Sequence, residues 1–157
     1  MTEKLFCQHY EKYKNTVYSV IFNYVQNTED TADLLQEVFM KLFATEDSFQ
    51  NDEHLKAWLI RVSINLCKNH LRSAKVRKFV PLEEDIPFFD QQESNDLLKV
   101  VFTLPEKYRV PIHLFYYEDY SIKEISDILD MPEATVKIRL KRGREKLSKV
   151  LNKEDWL

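Results

Sequence analysis

The segment SIKEISDILDMPEATVKIRLKRGREKL, residues 121–147, decides the fold. Ser121 and Glu124 make a capping box: the serine hydroxyl can accept from the Glu124 amide while the glutamate reaches back to the serine N–H. Ile125, Ile128 and Leu129 then supply the buried side of a short helix. Asp130 and Met131 leave room only for a tight turn, and Pro132, with its φ already set, opens a second helix. Val136, Leu140 and Leu147 fall on one face of that second helix. Two helices this short and this closely joined make a helix-turn-helix. At about 100° per residue, Thr135, Arg139, Arg142 and Lys146 share a face. Lys137, Lys141 and Arg144 flank the apolar stripe on its other side, and Ala134, Ile138 and Lys141 point away from it. A helix presented this way can lay its N-terminal half in a major groove, with arginine forks on guanine edges and lysines on phosphates.

Upstream, the same reading gives an all-α chain of two helical domains, with boundaries at 1–78 and 97–157 and a linker over 79–96. Phe6, Tyr10, Tyr13, Val17, Ile21, Tyr24 and Val25 recur at three- and four-residue steps as the stripe of a first helix. Asn27 or Thr28 can cap a second, whose first turns carry Glu29, Asp30 and Asp33, as the helix dipole favours. Leu34, Leu35, Val38, Phe39, Leu42 and Phe43 form its expected buried face. After a polar stretch, residues 44–54, Asn51 or Asp52 can cap a third helix with Leu55, Trp58, Leu59, Val62 and Leu66 inward. Residues 79–95 hold two prolines and no helical period, which reads as a linker. A second helical set begins with Leu97, Leu98, Val101 and Leu104. Pro105 can start the next helix, with Tyr108, Ile112, Phe115 and Tyr116 on it and Pro111 inside it, late enough to kink it or reset its start.

Charge sharpens the picture. The net charge is −3 over 157 residues, which looks wrong for a DNA binder until it is resolved along the chain. Residues 1–53 carry four Lys/Arg against ten Asp/Glu, and residues 54–78 carry seven Lys/Arg and no acid. Residues 79–100 hold six acids and one lysine, and residues 133–149 hold seven Lys/Arg and two glutamates. Two basic segments separated by an acidic one imply two nucleic-acid contacts. On the first of them Trp58, Arg61, Asn65, Lys68, Asn69 and Arg72 set an aromatic ring, amides and cations along one length, a combination suited to unpaired bases. Asn65, placed between Val62 and Leu66, is expected to need partners for its amide. The second helix turns acid outward through Asp33, Gln36 and Glu37, which by composition reads as a solvated face.

Whole classes of function are excluded. The chain has one glycine, Gly143, so glycine-rich phosphate loops, dinucleotide fingerprints and nucleophile elbows are ruled out. His9, His54, His70 and His113 lack metal-ligand spacing, and no catalytic triad or carboxylate pair stands out; neither enzyme activity, metal nor cofactor is expected. Cys7 and Cys67 read as ordinary reduced thiols. The start of the chain lacks a signal-like segment and no run of about eighteen apolar residues occurs, so a cytoplasmic protein without a membrane segment is expected.

With these parts in this order, the chain resembles the extracytoplasmic-function (ECF) group of bacterial RNA polymerase sigma factors, of the sigma-70 family. Three stretches carry the resemblance: residues 31–43 (TADLLQEVFMKLF), residues 55–72 (LKAWLIRVSINLCKNHLR), and residues 104–109 (LPEKYR) together with 120–147. The resemblance implies that residues 1–78 are sigma region 2, that 97–157 are a four-helix, winged-helix-like sigma region 4, and that the acidic linker runs through the polymerase cleft towards the RNA exit path. It implies that Asp33, Leu34, Gln36, Glu37 and Phe39 bind core RNA polymerase through the clamp helices of its largest subunit. It implies that Trp58, Arg61, Asn65, Lys68, Asn69 and Arg72 bind the −10 element, with residues 44–54 helping to hold a flipped base. Thr135, Lys137, Ile138, Arg139, Lys141 and Arg142 would bind the −35 element. Promoter DNA, the polymerase flap and an anti-sigma factor are the further partners it implies. Three positions depart from the family pattern: Ile138 stands where serine is common, Ala134 where glycine is, and Asn69 where aspartate is frequent.

Two other readings compete. A stand-alone helix-turn-helix regulator would bind a palindromic operator tightly as a dimer, without polymerase. A helical scaffold, or anti-sigma-like adaptor, would show no DNA dependence, and the Arg139 and Arg142 face argues against it.

Overall fold

In a computed structural model of the chain, residues 1–73 and 92–153 are described, with side chains over 1–73 and 97–151. The chain divides into two compact units, Met1–Val80 and Pro81–Leu157. The described residues are helical apart from short connections and contain no strand. The four-helix expectation for the second unit therefore holds, while its winged element has no counterpart among the described residues.

The first unit is built from α1 (Glu3–Val25), α2 (Thr28–Ala44) and α3 (Asp52–Arg72). Each start has a local cause. Thr2 caps α1, Asn27 accepts from the Asp30 amide at 2.9 Å, and Asn51 accepts from the His54 amide at 2.8 Å. A left-handed Gln26 (φ 52°) ends α1 and turns the chain directly into α2. The core joins Val17, Ile21, Val38, Leu42, Leu59, Ile60, Ile64 and Cys67. The expected stripe on α1 is only its entrance: Val17 to Tyr24 are buried residue after residue, whereas Phe6, Tyr10 and Val25 are half-buried. Phe43, expected inside, is 51% exposed. At the far end of α2, the buried Asp30 meets the His70 ring nitrogen of α3 at 3.3 Å.

The buried face of α3 is rotated by about 100°, one residue, from the expected one. Leu55 and Leu59 are buried as expected, but Trp58, Val62 and Leu66 are half-buried and the rest of the core comes from Ile60, Ser63, Ile64 and Cys67. The cause is Ser63. Its hydroxyl donates to the Leu59 carbonyl of the same helix at 2.6 Å, so a polar side chain sits in the core with its hydrogen bond made.

The second unit holds α4 (Gln92–Val101), α5 (Glu106–Tyr116), α6 (Ile122–Leu129) and α7 (Glu133–Lys153). Helix α4 starts inside the expected linker, so residues 92–96 are helical; the remainder of that linker, 79–91, lies outside the described residues. Leu98, Val101 and Leu104 are buried, Leu97 is not. Helix α5 runs through Pro111 without ending, and Phe115 and Tyr116 turn outward, Tyr116 being 48% exposed. The capping box forms with both hydrogen bonds, Glu124 N–H to the Ser121 hydroxyl at 3.1 Å and Ser121 N–H to Glu124 at 3.0 Å. Left-handed Asp130 (φ 54°) makes the turn, and the Ser126 hydroxyl donates to the Met131 carbonyl across it. Gly143 lies where α7 passes α5: a Cβ there would stand 2.9 Å from Cγ1 of Ile112. The close approach of the two helices is the reason for the chain's one glycine.

Candidate nucleic-acid interface

Helix α7 is anchored by Val136 (0% exposed), Leu140 (1%) and the buried Gly143. Everything named for DNA contact on it lies off this anchor. Lys137, Ile138, Lys141 and Arg142 are exposed, and Thr135 and Arg139, on the flank that carries Arg142, are half-buried. Ile138, at 49%, is a large apolar side chain left in solvent on an otherwise polar surface. The box at Ser121 fixes the start of α6, the left-handed Asp130 and the Ser126 hydroxyl bond to the Met131 carbonyl shape the turn into α7, and buried Ile125, Ile128, Val136 and Leu140 hold the two helices. Arg109, which precedes the motif in the LPEKYR stretch, is not part of the face. It is buried and donates to the Leu104 carbonyl at 2.9 Å, tying α5 to the loop before it.

On α3 the rotation described above has a consequence for binding. Trp58, Arg61, Asn65, Lys68, Asn69 and Arg72 fall within an arc of about 100°, opposite the core. Arg61, Asn65, Asn69 and Arg72 are exposed, and Trp58 and Lys68 are half-buried. The Asn65 amide therefore faces solvent, correcting the expectation that it needs partners from its own domain. None of Arg61, Lys68 and Arg72 pairs with a carboxylate among the described residues. The loop before α3 adds an aromatic corner. The Phe49 ring stands edge-on to His54 (5.4 Å between centroids) and to Trp58 (5.5 Å). The Gln50 N–H donates to Nδ1 of His54 at 3.1 Å, which fixes the corner to the first turn of α3. Lys12 of α1 reaches Asp52 at 2.6 Å, and the Tyr13 hydroxyl donates to the Asp52 carbonyl at 3.2 Å. The Lys12 hydrogen bond holds the Asp52 carboxyl below its usual range.

On α2, Asp33, Gln36 and Glu37 are exposed on one side, as expected, but Leu34 and Phe39 are buried at 6% and 3%. Those two support the helix from inside, correcting the expectation that they lie on its outer face, although Phe39 reaches the floor of a groove beside α1. Met40 (63% exposed) and Phe43, missed in the sequence, continue the outer face instead. Met40 shares the arc of Asp33 and Glu37, and that position was the available signal. Beside them an apolar groove runs between α1 and α2, lined by Phe6, Cys7, Tyr10, Leu35, Phe39 and Phe43.

Two family models match this chain, sigma-70 region 2 over residues 9–77 and sigma-70 region 4 over residues 94–147. The ECF RNA polymerase sigma factor SigW of Bacillus subtilis is 30% identical over 158 residues, covering 88% of this chain and 84% of SigW. The chain belongs to the sigma-70 family, in its ECF group. The ECF sigma-E factor of Escherichia coli is also 30% identical, over 85% of this chain and 80% of its own. Among solved structures, the fold matches the sigma factor RpoE of Bartonella quintana, determined with the anti-sigma factor NepR. The TM-score is 0.76 at 23% identity, covering 95% of this chain and 98% of that one. It also matches CnrH, determined with the cytosolic domain of CnrY, at a TM-score of 0.67 and 21% identity over 96% and 90% of the two chains.

Like the factors whose family it shares, this sigma factor acts in promoter-specific initiation of transcription. The α3 and α7 faces fall within the matched regions 2 and 4 respectively. The stand-alone regulator has no use for a region 2 and is not favoured. No helix among the described residues is long and apolar enough to cross a membrane.

Proposed function

We propose that the two cationic faces divide promoter recognition between them. Helix α7 lies in the major groove of the −35 element, reading bases through Thr135, Ile138 and Arg139, with Lys137, Lys141 and Arg142 completing the contact surface. The α3 arc holds the non-template −10 strand once it is unpaired. Trp58 and the Phe49 corner offer stacking surfaces, Asn65 and Asn69 offer amides to base edges, and Arg61, Lys68 and Arg72 neutralise phosphates. The acidic side of α2, Asp33, Gln36 and Glu37 with Met40, docks on the clamp helices of the polymerase's largest subunit, and the second unit meets the flap. The sigma factor works in the cytoplasm and carries out no bond chemistry of its own; the polymerase does. An anti-sigma factor is its regulator, as the NepR and CnrY complexes of its structural neighbours suggest.

The observation that carries this reading is the exposed, acid-free arc of α3. A duplex reader needs one recognition helix, yet this chain presents a second cationic face supplied with amides and aromatic rings. Run-off transcription with core polymerase tests it. Promoter-specific transcripts are expected only when the chain is added, together with weak binding of the free chain to the same DNA. Tight operator binding by the chain alone, with no transcripts on addition of core enzyme, would reinstate the stand-alone regulator.

A further inference from the structure

One cluster in the second unit is unexplained by helix packing. Tyr108 of α5 is 7% exposed, and its Cβ lies 3.4 Å from where a Gly143 Cβ would stand, so its ring leaves along the side of α7. Two ammonium groups converge on that ring, Lys107 Nζ at 5.1 Å and Lys146 Nζ at 5.6 Å from the centroid. The two cannot then be more than about 11 Å apart. A third cation, Arg142, acts on the phenol hydroxyl together with Lys107. Burial raises the pKa of that hydroxyl, but Lys107 and Arg142 outweigh it and hold it below 10. Among the described residues no carboxylate pairs with any of the three cations, and all three are exposed. Like charges gathered without a counter-ion repel, and an arrangement of this kind is completed by an anion from outside.

We propose that Tyr108 gathers Lys107, Arg142 and Lys146 into one clamp for a backbone phosphate of the duplex. The proposal rests on α7 being the −35 helix and adds where that helix leaves the groove. Arg142 and Lys146 lie on the arc of Thr135 and Arg139, but Arg142 stands about 10 Å further along the axis than Thr135, at 1.5 Å per residue. The major groove is about 12 Å wide, so side chains at that distance from the groove-reading end meet its phosphate wall. Arg142 thus belongs with the backbone contacts, and Tyr108 is a positioning residue whose ring face attracts both ammoniums.

The test is the salt dependence of holoenzyme binding to a promoter duplex first identified by run-off transcription. Each lost phosphate contact lowers the slope of log K against log salt by about 0.9, equivalent to about eightfold in affinity at 0.1 M. The double variant K107Q/K146Q is expected to lose about 1 from the slope, since the clamp holds one phosphate, while the preference for this promoter over one with a scrambled −35 element is unchanged. Tyr108→Leu removes no charge yet is expected to lower the slope by about 1, and Tyr108→Phe, which keeps the ring, restores it. A parental slope in K107Q/K146Q would overturn the clamp, as would a loss of promoter preference, which would mean base contacts. Arg139→Ala separates the clamp from the reading beneath it. If promoter preference survives Arg139→Ala, the −35 assignment itself fails; if it collapses while the lysine variant keeps the parental slope, only the clamp fails.

Discussion

Replacing Gly143 by alanine sets two opposing effects against each other at the contact between α5 and α7. In a helix interior alanine is favoured over glycine by about 1 kcal/mol, so on an open helix the substitution would stabilise. Here the new methyl group would stand 2.9 Å from Cγ1 and 3.1 Å from Cδ1 of Ile112. Ile112 is 1% exposed and β-branched, so it has little room to turn away, and overpacking of this kind costs about 1–3 kcal/mol. The net expectation is a loss of about 1 kcal/mol, or about fivefold faster amide exchange in α5 and α7 where opening controls it. Hydrogen exchange read by mass spectrometry on those two helices measures it without interference from the first unit. The decisive step repeats the change in an Ile112→Ala background. With the clash gone only helix propensity remains, so Gly143→Ala should then raise protection, by up to about fivefold. Stabilisation in the parental background, or the same loss in both, would refute the close-approach explanation.

Three further outcomes are expected. Burial pushes the Tyr117 phenol up to about 12. Because the folded value lies above the unfolded one, near 10, its contribution to stability is complete below pH 10 and is lost as pH rises towards 12. Tyr117→Phe should flatten that alkaline loss in the exchange of α5. It should also leave neutral-pH stability equal or higher by up to about 1 kcal/mol, since the hydroxyl has no hydrogen-bond partner among the described residues; a midpoint lowered by several degrees would contradict this. Ser121→Ala removes one arm of the capping box and is expected to cost about 1 kcal/mol, seen as a thermal midpoint lower by about 4–8 °C for a unit of this size. Ile138→Ser should change which base pair is preferred at one −35 position, because the exposed isoleucine is proposed to touch a thymine methyl or a sugar; selection from a randomised −35 library yielding the parental sequence would refute it.

The features legible in the sequence were those made by neighbours along the chain. Asn27, Asn51, Ser121 with Glu124, and Pro132 announce helix starts through bonds spanning three or four residues, and each stands where expected. The basic arcs on α3 and α7 were legible for the same reason, since helical periodicity is local. What escaped were effects of tertiary partners. Ser63 looks like a surface residue until its bond to the Leu59 carbonyl is seen, and missing it rotated the face of α3 and misplaced Asn65. Phe43 and Met40 look like core residues but line an outer face of α2, while Leu34 and Phe39, read as contacts, are inside. The start of α4 lay hidden in an acidic stretch with no apolar period. Gly143 was visible as a lone glycine, but its reason is Ile112, thirty-one positions away.

The division of labour between α3 and α7 is tested most directly by binding of the holoenzyme to two probes: a duplex with the −35 element alone, and a fork whose non-template −10 strand is unpaired. Asn65→Ala with Arg61→Ala should weaken binding to the fork, by about 0.5–1.5 kcal/mol for the amide contact and about fivefold at 0.1 M salt for the phosphate contact on a single strand, and leave the −35 duplex unaffected. Arg139→Ala should do the opposite. Equal losses of both variants on both probes, or a fork insensitive to the α3 substitutions, would contradict it.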